Sequence, residues 1–183
     1  MNPAAASAAP AGALTESGFS LGSNLGDRLG YLREAARQLA ATPGVEILAR
    51  SPVYETEPVG VRPEHAHRPY LNAVVIAAGP LTAAGWLRRI ADIETALGRT
   101  RTEDRNAPRT LDIDLIYHGA EMIDSGGIRV PHPRWAERAF VVRPLADVRP
   151  ELVVPGAGRT VKEILRGLES RPGPAVRRLT SEW

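Results

Sequence analysis

Two aspartates separated by one residue follow a run of arginines, and this pair is the part of the chain best suited to chemistry. Asp112 and Asp114 lie in the mainly apolar segment 111–117, which predicts a β-strand. Side chains alternate between the faces of a strand, so the two carboxylates project the same way, with Cα atoms about 6.6 Å apart. Magnesium accepts one or two carboxylates together with substrate phosphates. The pair predicts a metal-phosphate site, although the same pattern also occurs on a plain solvated strand face.

The segment before this strand is a long loop with four arginines and only two acidic residues, Glu103 and Asp104. At roughly 11 residues it is near the upper length of loops that have no function. Pro108 disfavours helix at Ala107 and ends the loop. Because the arginines have few local acids, we expect them to stay solvated without ligand and to close over bound phosphates. They are Arg99, Arg101, Arg105 and Arg109.

Composition narrows the class of protein. The 183 residues suit a single domain, and without cysteine there is no disulfide, thiol nucleophile or thiolate metal site. Lysine and arginine number 23 against 21 acidic residues, so the formal charge is close to neutral. No apolar run approaches the roughly 18 residues of a membrane span, and the Ala- and Pro-rich start lacks a basic signal region. We expect a flexible tail over 1–17, one domain over 18–183 and a cytoplasmic protein.

Periodicity predicts alternating strands and helices. A first strand ends near 18–22, although 15–18 lack the apolar alternation of a central strand. A helix follows with buried positions at Leu32, Ala35, Ala36 and Leu39, and strands are predicted over 45–53 and 71–77.

Capping signals place the other helices. Thr82 begins a helix that ends at Gly98, a short helix is predicted over 134–138, and Thr160 with Glu163 forms a capping box before the last helix. The element order is strand-helix-strand followed by a second strand-helix-strand. This order predicts an α+β fold of the ferredoxin-like type, with helices on an antiparallel sheet in a three-layer αβα arrangement.

Four segments occur together in register: 21–27 (Leu-Gly-Ser-Asn-Leu-Gly-Asp), 70–73 (Tyr-Leu-Asn-Ala), 107–114 (Ala-Pro-Arg-Thr-Leu-Asp-Ile-Asp) and 130–133 (Val-Pro-His-Pro). Over residues 18–155 the chain resembles the 6-hydroxymethyl-7,8-dihydropterin pyrophosphokinases of folate synthesis, most specifically through the Pro-Arg-Thr-x-Asp-x-Asp block. The resemblance implies transfer of the β,γ-pyrophosphoryl group of ATP to the hydroxymethyl oxygen of the reduced pterin. It also implies release of AMP and a requirement for two magnesium ions.

The resemblance also assigns roles to residues. Asp112 and Asp114 would hold both metal ions, while Arg99 and Arg109 would be catalytic-loop arginines that contact phosphate. The implied ATP-binding residues are Glu94, Arg101, Arg105, Arg109, Leu115, Arg129, His132 and Arg138. The implied pterin-binding residues are Thr56, Pro58, Val59, Gly60, Tyr70, Asn72 and Phe140, whose aromatic rings and amide suit a flat heterocycle.

The chain departs from the family at two positions and leaves two other functions open. Asn106 stands where other members carry a lid tryptophan, and Gly127 stands where some carry a phosphate-binding arginine, for which Arg129 could substitute. Without the resemblance, Tyr70 and Phe140 read as core aromatics. A nucleic-acid-binding module and an inactive family member are the alternatives, and the few aromatics argue against the first. We expect a monomer with ATP and the pterin as substrates and no nucleic-acid or membrane partner.

Overall fold

The computed structural model describes residues 14–58, 62–100 and 107–183. In this part of the chain eight strands and four α-helices form, and two short 3-10 turns cover Pro63–His65 and Trp135–Glu137. The strands are β1 (Thr15–Ser23), β2 (Glu46–Arg50), β3 (Val53–Thr56), β4 (Tyr70–Gly79), β5 (Asp112–His118), β6 (Ile123–Ser125), β7 (Ile128–Val130) and β8 (Val176–Thr180). The helices are α1 (Arg28–Ala40), α2 (Ala83–Ala96), α3 (Ala139–Val148) and α4 (Val161–Glu169).

The main sheet is antiparallel and is built around β1 and β4. Its order is β5-β1-β4-β3-β8, and β2 pairs with β4 on the same side as β3. The ten residues of β4 are long enough to pair with both short strands. Strands β6 and β7 form a separate hairpin through Gly126 and Gly127, whose φ angles of 59° and 79° suit glycine in a tight turn.

Both faces of the sheet are covered by helices. On one face Phe19, Leu21 and alternate residues of β4 pack with α1 and α2, and the Phe19 and Trp86 rings meet edge to face at 4.7 Å. On the other face Val74, Ile76 and Ile116 pack with α3 and α4. The two cores confirm the predicted α+β fold with an antiparallel sheet and its three-layer arrangement.

Strand β1 explains why its start gave no clear sequence signal. It begins at Thr15, so Thr15, Glu16 and Ser17, which we assigned to the tail, belong to the sheet. Ser17 is fully buried but hydrogen-bonded to His118 at 2.8 Å, and a Cβ on Gly18 would lie 2.3 Å from the Tyr117 ring. Ser17 has a hydroxyl that needs a hydrogen-bond partner, and Gly18 has no room for a side chain. Neither residue gives the apolar signal that is expected of a central strand.

Other differences also have physical causes. The predicted strand 45–53 is two strands, because Pro52 cannot donate to the ladder and the Ser51 hydroxyl accepts the Val74 N–H at 2.8 Å. Helix α3 was missed since Pro144 lies inside it and no side chain caps its start. Strand β8 was also missed, because an edge strand with exposed central residues lacks apolar alternation.

The local helix signals are confirmed. Thr82 caps α2 through the Gly85 N–H, Gly98 follows α2 with a φ of 76°, and Thr160 and Glu163 form both bonds of the capping box. None of the helices in the three described ranges has the length and apolar content that a bilayer crossing requires.

Replacing Gly18 tests the close approach of Tyr117. We expect Gly18→Ala to lower the free energy of unfolding by about 1–3 kcal/mol, because the new methyl group overpacks a fully enclosed site. Gly167→Ala is the control, since nothing lies within 4 Å of its added Cβ. In a helix interior this change should stabilise by about 0.5–1 kcal/mol. Urea denaturation measures both, and equal stability of Gly18→Ala and wild type would contradict the packing argument.

Candidate active site

The register of the sheet brings the candidate metal and pterin residues to one face. Gly22 of β1 pairs with Asn72 on one side and with Asp112 on the other. Directly opposed residues of antiparallel strands point to the same face, so Asn72 and Asp112 flank a position without a side chain, about 10 Å apart. A Cβ on Gly22 would lie 3.4 Å from Asn72 Oδ1 and 3.9 Å from the Tyr70 ring. Because Gly22 has no side chain, the surface of the sheet between Asn72 and Asp112 is not obstructed.

The carboxylate of Asp112 is bound by two guanidinium groups. Arg99 lies 2.6 Å from Oδ1 and Arg109 lies 3.0 Å from Oδ2. The side chains of Arg99 and Arg109 are only 19% and 17% exposed. Our expectation that the arginines stay solvated without ligand is therefore wrong for these two, because acids from other elements reach them. Arg101 and Arg105 lie outside the described residues.

One of these acids is Glu94 near the end of α2. It is 4% exposed, it accepts the Ile113 N–H at 2.8 Å, and it also forms an ion pair with Arg99. Burial raises the pKa of Glu94, whereas the Ile113 N–H and Arg99 oppose that rise. Glu94 thus joins α2, β5 and Arg99 beneath the site.

Asp114 has its own cationic neighbours. Arg138 Nη1 donates to Asp114 Oδ2 at 3.2 Å, and His132 Nε2 lies 3.8 Å from the same oxygen. His132 Nδ1 accepts the Arg134 N–H at 3.1 Å, so in the neutral ring the proton is on Nε2 and faces Asp114. Burial lowers the pKa of His132, and Asp114 opposes this shift.

Asn24 is a site residue that we did not predict. Its Oδ1 accepts the Arg109 N–H at 2.8 Å, and its own N–H donates to the Arg109 carbonyl at 3.2 Å. This reciprocal pair fixes the backbone of Arg109 at the entry to β5. The Ser-Asn-Leu-Gly-Asp motif was the available signal, but we used it only as part of the family resemblance and gave Asn24 no role.

The pterin candidates meet where β3 and β4 pair. Asn72 donates to Thr56 Oγ1 at 2.8 Å, and the two residues are 3% and 4% exposed. Thr56 pairs directly with Tyr70. Burial raises the pKa of Tyr70, while the charges of Arg109, Asp112 and Arg99 also act on its hydroxyl. Tyr70 is therefore paired with Thr56 and also close enough to the carboxylate cluster for its charges to act on the hydroxyl.

The other predicted residues are less closely joined to this cluster. Leu115 is buried in the core beside α1 and α2, so only its main chain can face the site. Arg129 pairs with Asp124 at 3.0 Å in the β6–β7 hairpin and is 65% exposed. Phe140 lies in α3 under the Arg138 guanidinium, 5.6 Å from ring centre to Cζ. Pro58 is half-buried, and Val59, Gly60 and Asn106 lie outside the described residues.

Asp112 and Asp114 fit magnesium only when a substrate supplies further ligands. Within the described ranges no three acidic or histidine side chains gather as a complete metal site. Asp112 and Asp114 share a face and are 31% and 35% exposed. Two accessible carboxylates provide the hard oxygen ligands that magnesium takes when phosphates and water complete its shell.

Comparison with known proteins assigns the family. The family model described as 7,8-dihydro-6-hydroxymethylpterin-pyrophosphokinase (HPPK) matches residues 18–150. A 2-amino-4-hydroxy-6-hydroxymethyldihydropteridine pyrophosphokinase of Methylorubrum extorquens is 43% identical over 157 residues, covering 85% of this chain and 95% of the relative. The enzyme of the same name from Bacillus subtilis is 41% identical over 130 residues, covering 71% and 75%.

Solved structures agree on the fold. A Plasmodium falciparum HPPK-DHPS variant crystallised with pterin and p-hydroxybenzoate superposes with a TM-score of 0.68 at 14% identity, over 86% of this chain. This chain spans 44% of that longer protein.

The chain belongs to the 7,8-dihydro-6-hydroxymethylpterin-pyrophosphokinase family. It is an ATP-dependent pyrophosphokinase that transfers the pyrophosphoryl group of ATP to hydroxymethyldihydropterin in folate synthesis.

Asn24 gives a test of how the site is positioned. We expect Asn24→Ala to lower kcat at least about tenfold, because a misplaced Arg109 loses its aligned contact with phosphate. Asn24→Asp keeps the acceptor for the Arg109 N–H and should retain more activity. Thr160→Ala is the control, since loss of a helix cap costs about 1 kcal/mol of stability without touching the site. AMP formation per folded molecule is the measurement, and unchanged kcat in Asn24→Ala would contradict the assignment.

Proposed function

We propose that Asp112 and Asp114 hold two magnesium ions with the phosphates of ATP, and that Arg99, Arg109 and Arg138 contact those phosphates. The observation that carries this proposal is the pairing of both carboxylates with guanidinium groups on one accessible face. A planar guanidinium suits phosphate oxygens as well as carboxylate oxygens. The arginines therefore already lie where a second anion can compete for them.

Charge balance favours an exchange of partners on binding. The carboxylates of Glu94, Asp112 and Asp114 face the guanidinium groups of Arg99, Arg109 and Arg138, so the cluster is close to neutral. Divalent ions also largely balance a triphosphate. If Asp112 and Asp114 held the metal ions, the arginines could contact phosphate instead, and no charge would stay buried without a partner. The cost of opening the ion pairs is offset by the new contacts.

The reaction needs positioning and charge stabilisation more than covalent catalysis. The hydroxymethyl oxygen of the pterin forms a bond to the β-phosphorus and releases its proton to water, while the bond from that phosphorus to the bridging oxygen of the α-phosphate breaks and AMP leaves with that oxygen. Arg99 and Arg109 stabilise the charge that develops on the phosphate oxygens. The metal ions would supply neutralising charge and lower the pKa of the attacking hydroxyl.

His132 and the loop arginines complete the nucleotide side of the proposal. The N–H on His132 Nε2 faces Asp114, and it can donate to a phosphate oxygen that replaces the Asp114 carboxylate as its partner. Arg101 and Arg105 would add contacts from the loop between α2 and β5, and Glu94, Leu115 and Arg129 stay predicted nucleotide residues.

The pterin is proposed to lie over Gly22, between Asn72 and the carboxylates. The bond to Thr56 fixes the amide plane of Asn72, so its second N–H and its carbonyl can pair with the edge of the heterocycle. Tyr70 and Phe140 would stack on the ring, and Pro58, Val59 and Gly60 would line its rim. A monomeric state and a cytoplasmic location also stay predictions.

Removing either carboxylate tests the metal assignment. We expect Asp112→Ala or Asp114→Ala to reduce AMP formation about a thousandfold or more, because one ligand of the metal-phosphate complex is lost. Asp92→Ala is the control, since it removes an exposed carboxylate from α2. Circular dichroism checks the fold, and the release of AMP rather than ADP from ATP, magnesium and the reduced pterin is followed. Near-normal turnover in a folded Asp112 or Asp114 variant would refute the metal role.

Asn72→Ala separates the two substrates. The variant should bind the pterin about tenfold more weakly or worse, since a heterocycle edge without its partner costs about 1–3 kcal/mol. Affinity for a non-hydrolysable ATP analogue with magnesium should stay near wild type. Calorimetric titration measures both ligands, and an equal loss for both would make Asn72 a purely structural residue.

A further inference from the structure

Arg28, the first residue of α1, forms a set of contacts that the catalytic reaction does not use. Its Nη1 donates to the Pro69 carbonyl at 2.8 Å, and Nη1 and Nη2 both lie 3.2 Å from Glu55 Oε1. The side chains of Arg28 and Glu55 are 29% and 20% exposed, so the pair is partly shielded from water. One guanidinium thus joins two chain segments that are 14 residues apart in sequence.

The two segments are the ends of strands that carry pterin candidates. Glu55 directly precedes Thr56 at the end of β3, and Pro69 directly precedes Tyr70 at the start of β4. Thr56 and Tyr70 are directly opposed partners in this ladder. Arg28 therefore contacts the residue that precedes each member of the Thr56–Tyr70 pair, which is the last pair of the β3–β4 ladder.

Arg28 acts from the face opposite to the site. Because side chains alternate along β3, Glu55 points away from the face of Thr56 and Asn72. Glu55 Oε2 also accepts from Arg177 of the edge strand β8 at 2.5 Å. The hydrogen bond from Arg177 lowers the pKa of Glu55, burial opposes this shift, and Arg28 lowers the pKa further. An Arg-Glu-Arg series thus links α1, β3 and β8 behind the ladder.

We propose that Arg28 is a positioning residue for pterin recognition, which sets the spacing of Thr56 and Tyr70 without touching the substrate. The inference rests on the proposed pterin site. A guanidinium suits this role since its planar fork reaches a carboxylate and a carbonyl together, whereas an ammonium is a single point of charge. Asn72 depends on the same spacing, because its amide is held by Thr56.

The test compares the affinities of the two substrates. In Arg28→Ala the dissociation constant of the reduced pterin, measured by calorimetry with a non-hydrolysable ATP analogue and magnesium, should rise about tenfold. The dissociation constant of the ATP analogue should stay within about twofold of wild type. Arg28→Lys should fall between Arg28→Ala and wild type. Arg37→Ala is the matched control, as it removes an exposed arginine of α1 that pairs with its helix neighbour Glu34.

A double-mutant cycle separates positioning from general destabilisation. Glu55→Gln should also weaken pterin binding, and Arg28→Ala with Glu55→Gln together should cost less than the product of the single effects, since they share one contact. Wild-type pterin affinity in Arg28→Ala would overturn the inference and leave the proposed function standing. So would an equal loss for pterin and nucleotide with a lowered melting temperature. A wild-type protein that bound no pterin would instead overturn the proposed function and the inference with it.

Discussion

The pairing of β1 with β4 and β5 is the constraint on which the site depends. One residue, Gly22, is the partner of both Asn72 and Asp112, so a single register decides which face receives the amide and the carboxylate. A slip of one residue would turn both side chains to the opposite face. The apolar residues at alternating positions of the same strands prevent such a slip, because Leu21, Ala73 and Ile113 would then leave the core. Core packing and the geometry of the candidate site are therefore fixed by the same hydrogen bonds.

The second general feature is that the charges of the candidate site are paired with one another. Because arginines are concentrated near two carboxylates, each of these charges needs a partner if the fold is to be stable. Glu94 of α2 and Asp112 of β5 pair with Arg99, and Arg138, just before α3, pairs with Asp114. The pairs are only partly exposed, so breaking them has a cost, but they lie at the surface where solutes can reach them. The cluster is thus held by its own ion pairs and is still accessible.

Sequence predicted the local features and the chemistry better than the long-range pairs. Thr82, Thr160 and Gly98 act within one helical turn, so their patterns can be read directly. The placement of Asp112 and Asp114 on one face follows from alternation alone. The contact of Arg99 with Glu94 and the contact of Asn24 with Arg109 depend on how α2 and β1 pack against β5, which no local pattern encodes. The same holds for β8, whose place at the sheet edge comes from its partner β3 and not from its own apolar pattern.

The backbone of the β6–β7 hairpin limits which side chains its turn can accept. Gly126 and Gly127 both have positive φ, and the strands on either side are only three residues long. A side chain at either position would strain a two-residue turn that needs left-handed backbone. An arginine at 127 would therefore carry a backbone cost of roughly 1–2 kcal/mol that a longer turn could relieve. Adding charge at this hairpin therefore costs backbone strain unless the turn is lengthened as well.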